Sequence, residues 1–319
     1  MACYSSFIEV SMHKNVLTLL ILSFLLLFTA CQREDKGSAT EATLAPLKVG
    51  MMSAVDAAPF YVALDTGYFE ALGIDVQLIL FTNGQHRQTA LQTGQIDGAM
   101  TDLVALITQK DSNFRLVGTL STDGDFPLLA KDDLQQKSEI SAGTMEISVT
   151  NYLLEQYVQD EHIVKKVYIN EIPARLEAVL SGQLDTGIFP EPFASIGALR
   201  GLKKIFFAGI PIESLNIIAF TKKATEEKTE TLKKFHKAYE MAINDILQNE
   251  DLAREVLMKH IPNLPPEIRN TINLPQYQKP RLPSAQFIAH IMSWTSTVTK
   301  SNYAFDPSSI IDSRFIEAL

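Results

Sequence analysis

The sequence predicts an α/β fold of two lobes, and two observations support this prediction. Short apolar or alternating runs typical of strands recur between helix-like stretches along most of the chain. Residues 90–97 and residues 179–185 read nearly alike, with Gly94 and Gly182 lying 88 positions apart. Each copy resembles a helix end, a glycine that stops the helix, and an apolar-Asp step into a strand. Two copies in corresponding places predict two lobes of similar construction.

The first lobe is expected at residues 47–130. Its strands are predicted at 47–51, 73–79, 116–120 and 127–130, because these stretches are short, apolar or alternating. A helix is expected to open at Ala57, with Asp56 as its N-cap and Pro59 in its first turn. A second helix is predicted at residues 85–92, leading into the first repeat.

The second lobe is expected at residues 131–216, after a polar crossover at 131–138. Its strands are predicted at 139–143, 164–169 and 204–208, and its helices at 144–159 and 174–180. A strand at 217–221 should return the chain to the first lobe. Residues 217–319 then complete that lobe with helices at 226–249 and 284–299. Two crossings form a hinge, which permits closure around a ligand.

Composition limits the possible partners and sites. The chain has 319 residues, 46% of them apolar, and a formal charge of −9, which argues against a nucleic-acid partner. Its basic pairs, such as Lys203 and Lys204, are interpreted as solvated faces. Both cysteines, Cys3 and Cys31, lie near the N-terminus, so no disulfide framework or cysteine metal site is expected in the body. No cofactor and no metal are predicted.

The N-terminus resembles a bacterial lipoprotein signal. An apolar run at residues 16–28 follows His13 and Lys14, and it ends in small residues before Cys31. We interpret residues 1–30 as a signal peptide, Cys31 as the lipidation site and 31–46 as a flexible tether. An ordinary secretory signal or an anchor helix is the alternative. Translation could start at Met1 or at Met12.

Several further motifs resemble the periplasmic substrate-binding proteins of ABC importers. The stretch 58–63 followed by 67–69, the stretch 73–76, the two repeats and Glu191-Pro192 carry this resemblance. It is nearest to the branch that binds thiamine-pyrimidine precursors, sulfonates, taurine and nitrate. The resemblance implies a two-lobed type II periplasmic binding protein fold with an interlobe cleft. It also implies a monomer that delivers a small solute to a membrane permease and its ATPase.

The cleft should form where loops follow the carboxyl ends of strands. The residues predicted to bind the ligand are Ser53, Asp56, Asn83, Thr101, Asp102, Thr144, Phe189 and Glu191. No Arg or Lys lies on these loops, so carboxylates beside aromatic rings favour an aminopyrimidine or another amine-bearing solute. Helix N-termini that follow the loops would instead suit sulfonate or nitrate.

Structural roles compete with these ligand roles. Asp56, Asp102 and Glu191 could each cap a helix. The aromatic residues Phe60, Tyr61 and Phe193 could belong to the core, and His86, beside Arg87, suits the surface. Asp97 and Asp185, the repeat aspartates, enter strands at the end far from the cleft, which indicates a structural role.

Three functions remain under comparison. The first is a lipid-anchored importer component on the outer side of the cytoplasmic membrane or facing the periplasm. The second is a ligand-sensing lipoprotein, which needs the same cleft. An enzyme that synthesises the thiamine pyrimidine is disfavoured, because the mature chain keeps only Cys31 and shows no phosphate loop, nucleophile elbow or His-Glu metal motif.

Overall fold

The described residues form two five-stranded β-sheets. The structure, a computed structural model, describes residues 46–158, 162–206, 213–317 and 319. The predicted signal peptide, Cys31 and the rest of the tether up to residue 45 lie outside these residues. The strands of the first sheet, in the order β2-β1-β3-β10-β4, are β1 (Leu47–Met52), β2 (Val76–Phe81), β3 (Gly98–Asp102), β4 (Leu116–Thr122) and β10 (Asn216–Thr221).

The second sheet has the same plan. Its order is β7-β6-β8-β5-β9, and its strands are β5 (Leu128–Ala130), β6 (Glu139–Thr144), β7 (Ile163–Tyr168), β8 (Thr186–Ile188) and β9 (Lys203–Ile205). In each sheet the first three strands of the order run parallel, and the fourth is antiparallel to its neighbours. The α/β prediction and its two-lobed form are therefore confirmed.

The antiparallel strands correct one sequence-based assignment. Residues 127–130 were expected in the first lobe, but β5 pairs with β8 and β9 in the second sheet. The chain therefore leaves the first sheet after Thr122 and re-enters it at Asn216, where β10 pairs with β3 and β4. In each sheet, the antiparallel strand is the first strand that the chain forms after it crosses over from the other sheet. The apolar run at 127–130 suits either sheet, so its composition could not reveal the partner strands.

Helices flank the sheets within the described residues. They are α1 (Ala58–Asp65), α2 (Tyr68–Ala71), α3 (Gly84–Gln92), α4 (Leu103–Thr108), α5 (Val149–Val158), α6 (Ile172–Leu180), α7 (Phe193–Leu199), α8 (Lys222–Glu227), α9 (Thr229–Gln248), α10 (Asp251–His260) and α11 (Ala285–Thr299). Short 3₁₀ helices lie at Val55–Ala57, Leu134–Gln136, Pro266–Thr271, Pro307–Ile310 and Ser313–Phe315. Within the part of the chain that the structure describes, no helix is both long and apolar enough to span a bilayer.

The repeated segments form matching corners in the two lobes. Gly94 and Gly182 both adopt positive φ, at 68° and 79°, where a glycine avoids the strain of a side chain. The Asp97 carboxylate then accepts the N–H of Lys48 on β1 at 2.8 Å. The Asp185 carboxylate accepts the N–H of Ser141 on β6 at 2.8 Å. Both aspartates are therefore structural, as the sequence analysis expected.

An aromatic cluster joins the first sheet to its helices. Phe235 of α9 lies 5.3 Å from Phe60, 5.6 Å from Phe69 and 5.7 Å from Phe220, measured between ring centroids. Its side chain is fully buried. These rings belong to α1, α2 and β10, so one side chain holds four elements together. Phe60 is a core residue, which settles the alternative for that position.

Replacing Phe235→Ala should lower the free energy of unfolding by about 3–5 kcal/mol, because it removes a ring at the junction of four elements. Leu247→Ala on the same helix is the control: its side chain is 56% exposed, and we expect a change within about 0.5 kcal/mol. Urea unfolding measures both variants. An equal effect of the two substitutions would contradict the role of the cluster.

Candidate functional site

A cavity of about 100 Å³ lies where loops after β1, β2, β3, β6, β7 and β8 converge. Parallel strands from both sheets therefore present their carboxyl ends to one site, which is the usual position of a ligand in open α/β sheets. Polar and charged side chains occupy much of its wall. They are Ser53, Asp56, Asn83, Arg87, Thr101, Asp102, Ser148, Thr150, Asn170, Arg175 and Asn216.

Asp56 is the buried carboxylate of the site. Its side chain is only 2% exposed, and Oδ2 accepts hydrogen bonds from Thr122 Oγ1 and Asn216 Nδ2, both at 2.9 Å. Oδ1 is buried without a hydrogen-bond partner among the described residues. Burial raises the pKa of Asp56 to about 6, although the two side-chain hydrogen bonds oppose the shift. One carboxylate oxygen is thus held in place and the other is free to accept.

Arg87 lies opposite a second carboxylate. It is 9% exposed on α3, and its Nη2 donates to Thr101 Oγ1 at 3.2 Å, while Nε has no partner among the described residues. Asp102 caps α4 through Oδ1, which accepts the N–H of Ala105 at 2.8 Å. Burial raises the pKa of Asp102, and the Arg87 charge opposes that rise. Burial lowers the pKa of Arg87, and the charges of Asp102 and Asp56 both oppose that fall.

Arg175 supplies a second guanidinium. Its side chain is fully buried on α6, and it donates from Nη1 to the Ile169 carbonyl at 2.6 Å and from Nε to the Ile188 carbonyl at 3.3 Å. Its guanidinium carbon lies 5.2 Å from the centroid of the Phe189 ring. Burial lowers the pKa of Arg175 to about 10, so the group stays charged at neutral pH.

Five of the predicted ligand residues line the cavity. They are Ser53, Asp56, Asn83, Thr101 and Asp102. Asn83 caps α3 by accepting the N–H of His86 at 2.8 Å, and its Nδ2 donates across the cleft to Glu171 Oε1 at 2.5 Å. The capping alternative holds for Asp102. It fails for Asp56, which lies inside the 3₁₀ helix Val55–Ala57 and makes no capping hydrogen bond.

Three predicted residues lie outside the cavity lining. Thr144 ends β6 instead of starting a helix, and its hydroxyl bonds to Thr150 Oγ1 at 2.9 Å. Phe189 is fully buried, and its ring faces the guanidinium of Arg175. Glu191 is fully buried and forms an ion pair with Lys204. Its other oxygen accepts the N–H of Ser195 at 3.0 Å. Lys204 is therefore not on a solvated face.

Sequence reasoning missed both arginines because it considered only the loops. The loops themselves carry no Arg or Lys, but Arg87 and Arg175 reach the cavity from helices. One signal for Arg175 was present: it occupies the third position after Ile172 and the fourth before Val179, on the apolar face of α6. A charged residue on such a face indicates a buried site. Phe126, in the first crossing segment, and Asn216, the first residue of β10, also line the cavity.

Two other features of the described residues bear on ligand chemistry. A second cavity, of about 680 Å³, shares Phe126 and Asn216 with the first. There Asp123 pairs with Arg281, so its charge is neutralised within the chain. Among the described residues, no cluster of three or more His, Cys, Asp or Glu side chains could hold a metal ion.

Comparison with known families identifies the fold. The model of the NMT1-like family matches residues 40–259, more than half of the chain. The chain belongs to the NMT1-like family. A search of curated protein sequences finds no significant match.

Solved structures resemble this NMT1-like chain at low sequence identity. The ligand-binding component of an ABC-type import system from Staphylococcus aureus, with zinc bound, has a TM-score of 0.74 and 14% identity, covering 86% of this chain and 99% of its own. An alkanesulfonate-binding protein from Xanthomonas axonopodis pv. citri, bound to MOPS, has 0.68 and 15%, covering 85% and 99%. The periplasmic nitrate-binding protein from Synechocystis PCC 6803 has 0.63 and 12%, covering 85% and 92%. The resemblance found in the sequence is confirmed, together with the periplasmic binding protein fold.

The buried charge of Asp56 should destabilise the chain without ligand. Asp56→Asn keeps an oxygen for Thr122 and Asn216 but removes the charge, so at pH 7 the free energy of unfolding should rise by up to about 3 kcal/mol. Because the folded pKa is raised, wild-type stability increases as pH falls from 7 to 4. The advantage of the variant should therefore shrink over that range.

Urea unfolding at pH 7, 6, 5 and 4 measures this effect, with the exposed-site variant Asp111→Asn as control. The control should stay within about 0.5 kcal/mol of the wild type at pH 7. An Asp56→Asn variant that is less stable than the wild type at pH 7, or a gain independent of pH, would contradict the account.

Proposed function

We propose that this chain is the solute-binding component of an ABC importer, and that it captures a small amine-bearing solute in the interlobe cavity. One observation carries the solute class: Asp56 Oδ1 is buried at the cavity without a hydrogen-bond partner among the described residues. A buried acceptor left unsatisfied costs about 1–3 kcal/mol, more when charged. An amine N–H placed against Oδ1 would remove that penalty.

The family supports the importer role. The similar structures from Staphylococcus aureus, Xanthomonas and Synechocystis are described as ligand-, sulfonate- and nitrate-binding proteins, two of them with import or periplasmic roles. On this proposal the chain works as a monomer with a permease and an ATPase. It binds no nucleic acid and catalyses no reaction.

The cell envelope is the proposed location. Lipid on Cys31 would anchor the chain to the outer side of the cytoplasmic membrane or to a membrane face toward the periplasm. Residues 31–46 would serve as the tether. The motif before Cys31 supports this part of the proposal.

An anion is the second candidate solute. Arg87 and Arg175 both line the cavity, and the sulfonate- and nitrate-binding structures share the fold. An anion alone would bind to the arginines and leave Asp56 Oδ1 without a partner. Removing the Asp56 charge would therefore not weaken the binding of such an anion.

A thermal-shift screen separates these solutes. The chain from Gln32 onward is tested against an aminopyrimidine, alkylamines, an alkanesulfonate, taurine and nitrate. A ligand at one hundred times its Kd should add about 2.7 kcal/mol of stability. We expect an amine to raise the Tm of the wild type and to lose this effect in Asp56→Asn, while Asp111→Asn responds like the wild type. A shift by sulfonate or nitrate that persists in Asp56→Asn would contradict the amine proposal.

Lipid anchoring has its own test. The full chain expressed in bacteria with labelled palmitate should carry the label and fractionate with membranes, because acylation provides the membrane affinity. Cys31→Ser should carry no label, whereas Cys3→Ser should be labelled like the wild type. Equal labelling of the Cys31 variant would contradict the anchor.

A further inference from the structure

Two buried groups of opposite charge, Asp56 and Arg175, line the same cavity, and neither forms an ion pair with another of the described residues. Asp56 is held by the neutral groups of Thr122 and Asn216. Arg175 is held by two backbone carbonyls, and no carboxylate of the described residues lies within ion-pair distance of it. Buried charges in proteins are normally paired. Both groups therefore face the cavity with unmet charge.

Two further charged side chains, Arg87 and Asp102, line the cavity. They add one charge of each sign, so their combined charge is near zero. Burial lowers the pKa of Arg87, and the carboxylates of Asp102 and Asp56 both oppose that fall. The two lobes therefore both contribute charge to the cavity: on the first lobe Asp56 keeps an oxygen without a hydrogen-bond partner among the described residues, and on the second lobe Arg175 bonds to backbone carbonyls. A solute that carried a single charge would satisfy one of these two groups and leave the other exposed to a desolvated cleft.

We propose that the solute is a compact zwitterion, with an amine against Asp56 and an acid group toward Arg175. This inference rests on the proposed binding function and narrows its substrate class. Each end of such a solute meets the opposite charge on a different lobe. The zwitterion therefore links the two lobes through its own two ends, and closure of the cleft is coupled to the presence of both groups.

The cavity volume sets the size of this solute. It measures about 100 Å³, and an apolar cavity of roughly 150 Å³ is known to hold benzene. A solute of about half a dozen non-hydrogen atoms is therefore the upper limit at this scale. Short ω-amino acids have this size and carry both groups. A substituted aminopyrimidine is larger and lacks the acid group.

Matched ligands test the inference on the unmodified chain. Calorimetry compares β-alanine with propylamine, which lacks the acid group, and with propionate, which lacks the amine. Glycine and 4-aminobutyrate vary the distance between the ends. Taurine, compared with ethylamine and ethanesulfonate, distinguishes a sulfonate from a carboxylate. At least one zwitterion should bind about 30-fold or more tightly than each of its matched halves, because each half leaves one buried charge unpaired.

The outcomes separate this inference from the proposed function. An amine that binds as tightly as its zwitterion overturns the inference and leaves the amine-binding proposal standing. An acid that binds as tightly as its zwitterion overturns both. Absence of binding by every zwitterion at millimolar concentration overturns the inference. The thermal-shift screen then tests the proposed binding function separately.

Variants assign the two ends. Asp56→Asn should weaken the best zwitterion about 30-fold or more and leave binding of the matched acid unchanged or tighter. Arg175→Gln should weaken the zwitterion and leave the matched amine unchanged. Circular dichroism verifies folding, and if Arg175→Gln fails to fold, the ligand comparison on the wild type decides. Equal weakening of the amine and the acid by either variant would contradict the assignment of ends.

Discussion

The account depends on how the Asp56 carboxylate is held. Its Oδ2 accepts hydrogen bonds from Thr122, the last residue of β4, and from Asn216, the first residue of β10. These two residues stand where the chain leaves the first sheet and where it returns. A single carboxylate oxygen thus connects both crossings to the floor of the cavity. The other oxygen, Oδ1, points to no partner within the described residues and is available to a solute.

This arrangement relates stability to function. A carboxylate buried at 2% exposure, with its pKa raised to about 6, destabilises the ligand-free chain at neutral pH. The same charge attracts a protonated amine more strongly in a desolvated site than in water. Burial likewise disfavours the positive charge of Arg175 on the second lobe, and that charge would attract an acid group. The cost of both groups is offset when a solute with complementary ends binds.

Local sequence patterns predicted the parts of the fold that local physics determines. The glycines of the two repeats and their aspartates marked equivalent corners, because a positive φ and a strand-capping carboxylate have few alternatives in sequence. Local patterns could not predict which sheet residues 127–130 join. A short apolar strand fits any sheet that offers a partner, and the partner, β8, lies more than fifty residues later in the chain.

The site was predictable only where strand ends and helix starts produced it, as at Asp56, Asn83 and Asp102. Glu191 lies outside the cavity lining, and its partner Lys204 could not be foreseen because the two side chains meet only in the tertiary structure. The central claim is that the cavity selects a solute with both an amine and an acid. The purified chain should be incubated with a small-molecule extract of bacterial cells, washed and denatured, and the released solute identified by mass spectrometry. We predict a compound with both groups that Asp56→Asn does not retain; a solute without an amine, retained equally by the variant, would contradict the account.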